Sequence, residues 1–364
     1  MSANPYDTWD MRKSLGVMRD VQPISTYWMD LMFPNLQINS ENQWIDFEKL
    51  PAAARKMAPF VRPLGAGKPI YEDRSTGFRF KPAYIKLKDA IDPVAPLVKR
   101  PGLDQSMLDM SSMTPAMRRE LLRGAMTVQH VNAIEQTWEW MAARASIDAK
   151  VTIEGEEYPA VELDFRRDAN HTVTKTAGNF WGDAGVSIFD DIQLYCDRMW
   201  DAEFGGFPTR MTFGSKVWGA IRQDDEMMKH MDTNIRGERA TIERGLIGAD
   251  DAVKVGELVV GGASGAVIEM WLYRGTYTDY ETKVETPMLA PNKVVFTGTA
   301  EKFMGYRCFG AIIDPYANYQ PLDIFPRNWM EVGDPAVEYL LHQSAPLFVP
   351  VNPNVTLTAE VTAL

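Results

Sequence analysis

From Thr114 to Ala145 the apolar positions fall three and four residues apart. Leu121, Leu122, Ala125 and Met126 begin a stripe that Val131, Ile134, Trp138, Met141 and Ala145 continue along one helical face. Thr114 is a good N-cap, and Pro115 fits the first helical position, where its missing N–H is no loss. The spacing predicts a long helix, and roughly thirty residues at about 1.5 Å each span about 45 Å, long enough to act as a spine. Gly124 marks a kink, or a break between two helices.

A second helix is predicted to start at Ser187, with Asp190 three residues on as a variant capping box and Ile188, Ile192, Tyr195 and Met199 on one face. Between the helices, Lys150–Ile153 and Ala160–Phe165 read as strands around the turn "EGEE". From Phe207 to about Glu301 the pattern changes to short elements: "TRMTF" as strand, "SKVWGAIRQDDEMMKHM" as helix, "GAVIEMWLYRGTYTDY" and "NKVVFTGT" as strands. This stretch is expected to be a second domain inserted into the first. At the end of the chain, Val355, Leu357, Ala359 and Val361 alternate with Thr356, Thr358, Glu360 and Thr362, which predicts a half-buried final strand.

Residues 1–50 keep neither period for long, apart from a short helix within "DTWDMRKSLGVMRD", and read as an arm. Eight of the 23 prolines then fall between Pro51 and Pro101, which excludes a long helix there. Within that stretch "PIYEDRSTGFRFKPAYIKLKD" reads as a long hairpin turning at Ser75-Thr76-Gly77. Phe78 and Phe80 alternate with Arg79 and Lys81. After Pro82 the phase reverses, Ile85 and Leu87 against Lys86 and Lys88, so the strand bends at the proline. Phe78, Phe80, Tyr84, Ile85 and Leu87 are too apolar for a disordered excursion and need burial, for which a neighbouring subunit is the natural place.

Composition narrows the class. With 364 residues, 45% of them apolar and 24% charged, the chain is that of a folded protein too long for one compact core. The first thirty residues carry charges throughout and no long uncharged apolar run follows, so neither a signal peptide nor a membrane span is expected, and the chain is expected to be made and kept in a cytosol. Cys196 and Cys308 are too few for a disulfide framework and read as buried thiols. A net charge of −11 argues against sequence-independent nucleic-acid binding and helps solubility.

Candidate chemistry is sparse. "LGAGK" (64–68) lacks the first glycine and the Ser/Thr of a phosphate loop, having Arg62 and Pro69 there. "VVGGASGAV" (259–267) fails both as a dinucleotide fingerprint and as a nucleophile elbow, and reads as a hairpin turn. His130, His171, His230 and His342 lack metal-ligand spacing and are expected at the surface or satisfied in the core. Asp190-Asp191 and Asp224-Asp225 sit at helix starts, where carboxylates suit the dipole. Arg118, Arg119 and Arg123 form a basic cluster on the spine, either a solvated face or an inter-subunit salt-bridge site. No enzyme, cofactor or metal site is expected, and there is no internal repeat.

The segment "FPRNWMEVGDPAVEYLLHQSAPL" resembles the carboxy-terminal signature of the lambda-like phage major capsid proteins, the capsid protein E family. The matching residues are Pro326, Asn328 and Trp329, then Gly333 to Ala336, then Gln343 to Leu347. "KPAYIKLKDAIDP" is similar to the family's extended-loop strand at Pro82, Tyr84, Lys86, Lys88 and Pro93, with Leu87 where a proline would be expected. "FTG" and "YRCFG" follow in order. The resemblance implies an α+β, Hong Kong 97-like capsid fold. Its parts would be an amino-terminal arm (1–50), an extended loop (51–113), a peripheral domain with the spine helix (114–206 and 304–364) and an inserted axial domain (207–303).

It further implies a non-catalytic subunit that assembles as pentamers and hexamers into the icosahedral head of a tailed phage around double-stranded DNA. Expected partners are a portal at one vertex, a scaffold and a decoration protein, with no membrane. The expected location is the virion head, and host cytoplasm during assembly. A cellular shell protein of the encapsulin type, or another ring-forming virion protein such as a tail-tube subunit, is the alternative. Tyr71, Phe78, Arg79, Phe80, Tyr84, Ile85 and Leu87 would make the inter-subunit contact of the extended loop. Lys68, Lys81, Lys86 and Lys88 are candidates by type for a covalent link that lambda-like members generally lack. The tail would return the chain to the peripheral sheet, with Trp329 as a buried packing anchor.

Overall fold

A computed structural model describes residues 25–34, 36–41, 44–49, 76–91, 114–155, 158–232, 251–260, 266–279, 282–331, 333 and 336–363. The expected arm helix within 7–20, the "LGAGK" turn, Lys68 and Tyr71 lie outside the described residues.

Helix α1 (Tyr27–Met32) and strands β1 (Gln37–Ser40) and β2 (Ile45–Lys49) precede β3 (Thr76–Phe80) and β4 (Ile85–Ile91). The spine, α2 (Pro115–Ile147), is one helix of 33 residues without a break at Gly124, and it starts where Thr114 accepts a hydrogen bond from the Met117 N–H. Its packed face changes character along its length. In the second half the expected Val131, Ile134, Met141 and Ala145 are buried, whereas in the first half Leu121 is 40% exposed and the buried positions are Arg123, Thr127 and His130. The apolar stripe therefore covers only half of the helix that it predicts.

A hairpin of β5 (Lys150–Gly155) and β6 (Tyr158–Asp164) follows, then β7 (Thr172–Thr174) and α3 (Ile188–Asp201), with Ser187 capping the Asp190 N–H as expected. After β8 (Arg210–Phe213) come α4 (Ser215–Gln223), α5 (Asp225–His230) and β9 (Met231–Asp232). The single helix expected here is two. Asp224 turns extended, and its carboxylate accepts from the N–H groups of Glu226 at 2.9 Å and Met227 at 3.1 Å, which starts a new helix. Strands β10 (Ala252–Val260) and β11 (Ala266–Tyr273) pair antiparallel up to Val260 opposite Ala266; the turn expected within "VVGGASGAV" lies outside the described residues. A ribbon of β12 (Thr276–Thr278) and β13 (Glu285–Pro287) leads to β14 (Lys293–Thr297), α6 (Ala300–Phe303) and β15 (Gly305–Gly310). The tail contributes β16 (Phe325–Glu331), β17 (Val337–Ser344), β18 (Pro346–Pro350) and β19 (Thr356–Glu360).

A seven-stranded sheet runs β7-β19-β14-β8-β11-β10-β9, so β19 lies between two strands. This corrects the half-buried final strand: Thr356 and Thr358 are as buried as Leu357 and Ala359. Leu357 and Ala359 join the apolar cluster of α3 and α4, and the other face is sealed by hydroxyls, Thr358 donating to the Ile147 carbonyl and Thr356 to that of Pro353. Threonine can fill a buried strand position because a local carbonyl satisfies its hydroxyl. The sheet also unites strands from 207–303 with β7 and β19 from outside that range, so the end of the tail pairs into the sheet of the 207–303 strands.

Two three-stranded sheets, β1-β15-β18 and β16-β17-β4, complete the body. The largest apolar cluster joins α1 (Trp28, Met32) to the second half of α2 (Met141, Ala142, Ala145) and to β18 (Leu347, Phe348). Thr76 and Gly77, expected in the turn of a hairpin, lie inside β3, which pairs with β2, while β4 pairs with β17; the expected first strand of that hairpin, up to Ser75, lies outside the described residues. The bend at Pro82 is found, residues 81–84 leaving the strand.

Candidate assembly site: the seam between the spine helix and strands β4 and β17

Sheet β16-β17-β4 lays one face on the first half of α2. In β17, Glu338, Leu340 and His342 share that face, and all three are buried; in register they oppose Ile91, Asp89 and Leu87 of β4. Glu338 is the hub of an ion-pair group. Its carboxylate lies 2.7 Å from Arg123 Nη2 and 2.7 Å from Arg119 Nη2, and Arg123 reaches Glu120 at 2.8 Å. Within the basic cluster on the spine, Arg123 is 1% exposed and, like Arg119, paired with Glu338 of the same chain, while Arg118 is half-buried beside it.

Two turns further along α2, His130 Nδ1 meets His342 Nδ1 at 2.8 Å and His130 Nε2 meets Asp89 Oδ2 at 2.9 Å. The sequence pattern gave no notice of this pairing, although Arg123, Thr127 and His130 repeat at helical spacing and Glu338 and His342 at strand spacing. Burial, then the neighbouring His130, pulls the His342 imidazole down to about 3. His171, by contrast, is a satisfied core histidine bonded to the carbonyls of Thr356 and Arg198.

Tyr84, just before β4, is stitched to the signature motif. The Tyr84 hydroxyl donates to Gln343 Oε1 at 2.8 Å and accepts from the Ile313 N–H at 2.9 Å; Gln343 in turn donates to Asp314, which also accepts from Arg327 at 2.9 Å. Burial raises the Asp314 carboxyl, but the Tyr316 N–H, Arg327 and Gln343 outweigh it and hold the group below its ordinary range. Ser344 closes the stitch by donating to the Asp323 carbonyl. These bonds are what "QSAPL" and "FPRNW" do in the fold.

Trp329 is not a buried anchor. It is half-buried on the sheet face turned away from α2, stacked on Tyr339 at 5.4 Å, with Lys88 and Arg327 over the rings. The other residues expected in the extended loop are divided between elements. Phe78 opposes Phe47 in the β2–β3 ribbon, Arg79 is exposed, and Phe80 is half-buried with its ring 5.5 Å from that of Phe165. Ile85 and Leu87 are half-buried in β4, opposite Ser344 and His342. Among the described residues no group of three or more His, Cys, Asp or Glu side chains is placed to hold a metal ion, and no helix is long and apolar enough to cross a membrane.

The profile of the family described as phage major capsid protein E matches residues 10–361. The major capsid protein of Enterobacteria phage P21 is 27% identical, over 96% of this chain and 98% of that protein. The major capsid protein of Escherichia phage lambda is 28% identical, over 84% and 85% respectively. The crystal structure of a prophage capsid protein from E. coli CFT073 superposes with a TM-score of 0.69 at 22% identity, covering 97% of this chain and 99% of that one, which establishes the shared fold. With a 33-residue spine helix, strand β4 bonded to the signature tail, and a family match over nearly its whole length, the chain belongs to the phage major capsid protein E family, the major capsid proteins of lambda-like phages, and has their α+β, Hong Kong 97-like fold.

Proposed function

We propose that this chain forms the head wall by assembling with further copies as pentamers and hexamers around packaged double-stranded DNA, and that it does so without catalysis. In this proposal the arm (1–50) and extended loop (51–113) clasp neighbouring copies. The peripheral unit (114–206 with 304–364) and the inserted axial unit (207–303) stay rigid, β19 being shared with the axial sheet. A portal, a scaffold and a decoration protein are its further partners, and assembly takes place in host cytoplasm. The net charge of −11 lets the wall enclose DNA without holding it.

The observation that carries the proposal is the β2–β3 ribbon. Two strands alone are marginal in water, and among the described residues this ribbon meets the body through Ile45, 3% exposed, and the half-buried Phe80 at one end. Cover from an adjoining copy supplies what the ribbon lacks, with Tyr71, Phe78 and Arg79 on the reaching part and Phe80, Tyr84, Ile85 and Leu87 at its root. The test replaces residues 71–79 with a short Gly/Ser linker. Soluble subunits that retain native helix content but give no closed shells in electron micrographs are expected; closed shells of normal size would refute the clasp.

A further inference from the structure

We propose that Asp89, His130 and His342 form a proton-sensitive latch that fastens the extended-loop strand and the tail strand to the spine helix. The three side chains come from β4, α2 and β17, elements far apart in sequence, and each bond of the group crosses from the helix to the sheet. Asp89 accepts, so His130 Nε2 carries a proton; His130 Nδ1 then accepts from the Nδ1–H of His342. That leaves His342 Nε2 bare, buried and without a partner. The arrangement is complete with both imidazoles neutral.

A first added proton can be absorbed: His130 becomes a cation beside the Asp89 carboxylate and donates through Nδ1, and His342 shifts its own proton to Nε2, an unpartnered buried donor. A second proton cannot, because it would set two N–H groups against each other across 2.8 Å. The remaining charged groups facing the pair do not relieve this. On α2 they are Arg119, Glu120 and Arg123 and on β17 Glu338, two guanidiniums against two carboxylates already paired among themselves. Lys86 and Lys88 of β4 and Arg327 of β16 point to the opposite sheet face.

His342 titrates near its ordinary value of 6.5 once released and is held down to about 3 in place. The joint is therefore fully stable above about pH 6.5 and loses stability as pH falls toward 3. The latch is a property of one chain. Its consequence, that acid frees the root of the clasp, rests on the proposed function, but the test below does not.

Amide hydrogen exchange of the full-length soluble chain, corrected for the intrinsic pH dependence of exchange, reads the latch at 85–91 and 337–344, with 210–213 and 293–297 of the seven-stranded sheet as the reference. Between pH 7.5 and 5 protection at the first pair is expected to fall about tenfold per pH unit at its steepest, one proton per opening, while the reference strands hold. His342→Gln, whose amide can still donate to His130 Nδ1, is expected to flatten the curve. Should the variant fold poorly, imidazole NMR of the unaltered chain decides, the His342 ring staying neutral below pH 5.5 until strand protection is lost. Protection that is flat to pH 5, that falls equally in the reference strands, or that falls equally in His342→Gln overturns the latch.

Discussion

Arg123 Nη2 lies 2.7 Å from Glu338 Oε1, and the two side chains are 1% and 3% exposed. A pair so shielded joins helix to sheet without adding much net stability, since desolvation opposes the Coulomb gain; losing one partner, however, leaves a buried charge. Arg123→Met or Glu338→Gln alone is expected to lower the unfolding free energy by about 3–5 kcal/mol. The double substitution Arg123→Met with Glu338→Leu should recover most of it. Urea denaturation of the full-length chain checks this, and additive losses would contradict the pairing.

The N-terminal segment is held by a second polar contact on the spine, with the opposite response to pH. Glu139 is buried at 1% exposure, and its two oxygens accept from the backbone N–H groups of Trp28 at 2.7 Å and Met29 at 2.9 Å. Burial raises its carboxyl to about 7, against the pull of those two bonds. A raised carboxyl favours the docked state when protonated. Docking of α1 is therefore strongest below about pH 4.5 and weakens by about 3 kcal/mol as pH rises through 7. Exchange protection of the Trp28 and Met29 amides should fall across that window in the native chain and stay level in Glu139→Gln.

The difference between the two halves of the spine also explains what the sequence could and could not reveal. Thr114, Pro115 and the three-four spacing are local signals, and they set the start and continuity of α2 correctly. The face packed in its first half is not local: Arg123 and His130 are buried because Glu338, His342 and Asp89 arrive from two other segments, while Leu121 turns outward. Strand propensity at 76–80 and 85–91 was legible, but propensity names no partner, and the partners are residues 45–49 and 337–344. Trp329 misled because its side of the sheet depends on that pairing. The signature motif was legible as a pattern, and its hydrogen bonds through Gln343 and Ser344 were not.

Two glycines give opposite expectations. A Cβ on Gly305 would sit 2.3 Å from the Met32 carbonyl oxygen and 2.6 Å from the Phe33 ring, so β15 can approach α1 only without a side chain. Gly305→Ala is expected to cost about 1–3 kcal/mol by overpacking. Gly124 lies inside α2 with nothing within 4 Å of an added Cβ. Gly124→Ala is expected to stabilise by about 0.5–1 kcal/mol through helix propensity. Thermal unfolding of the two variants side by side separates the effects.

Cys196 and Cys308 lie buried in different apolar clusters, on α3 and β15. Burial pushes both thiols up to about 12, and Asp197 adds to the effect at Cys196. Thiolate is the reactive form, so at pH 8 both access and ionisation are denied to a disulfide reagent. Titration of the native chain with such a reagent should release almost no chromophore, and addition of denaturant should release two equivalents together. Because each cysteine reports on its own cluster, a fast first equivalent followed by a slow second would mean that the α3 cluster and the spine cluster open separately. One shared slow phase is expected instead, since β19 carries Leu357 into the first cluster and follows Val355 directly out of the second.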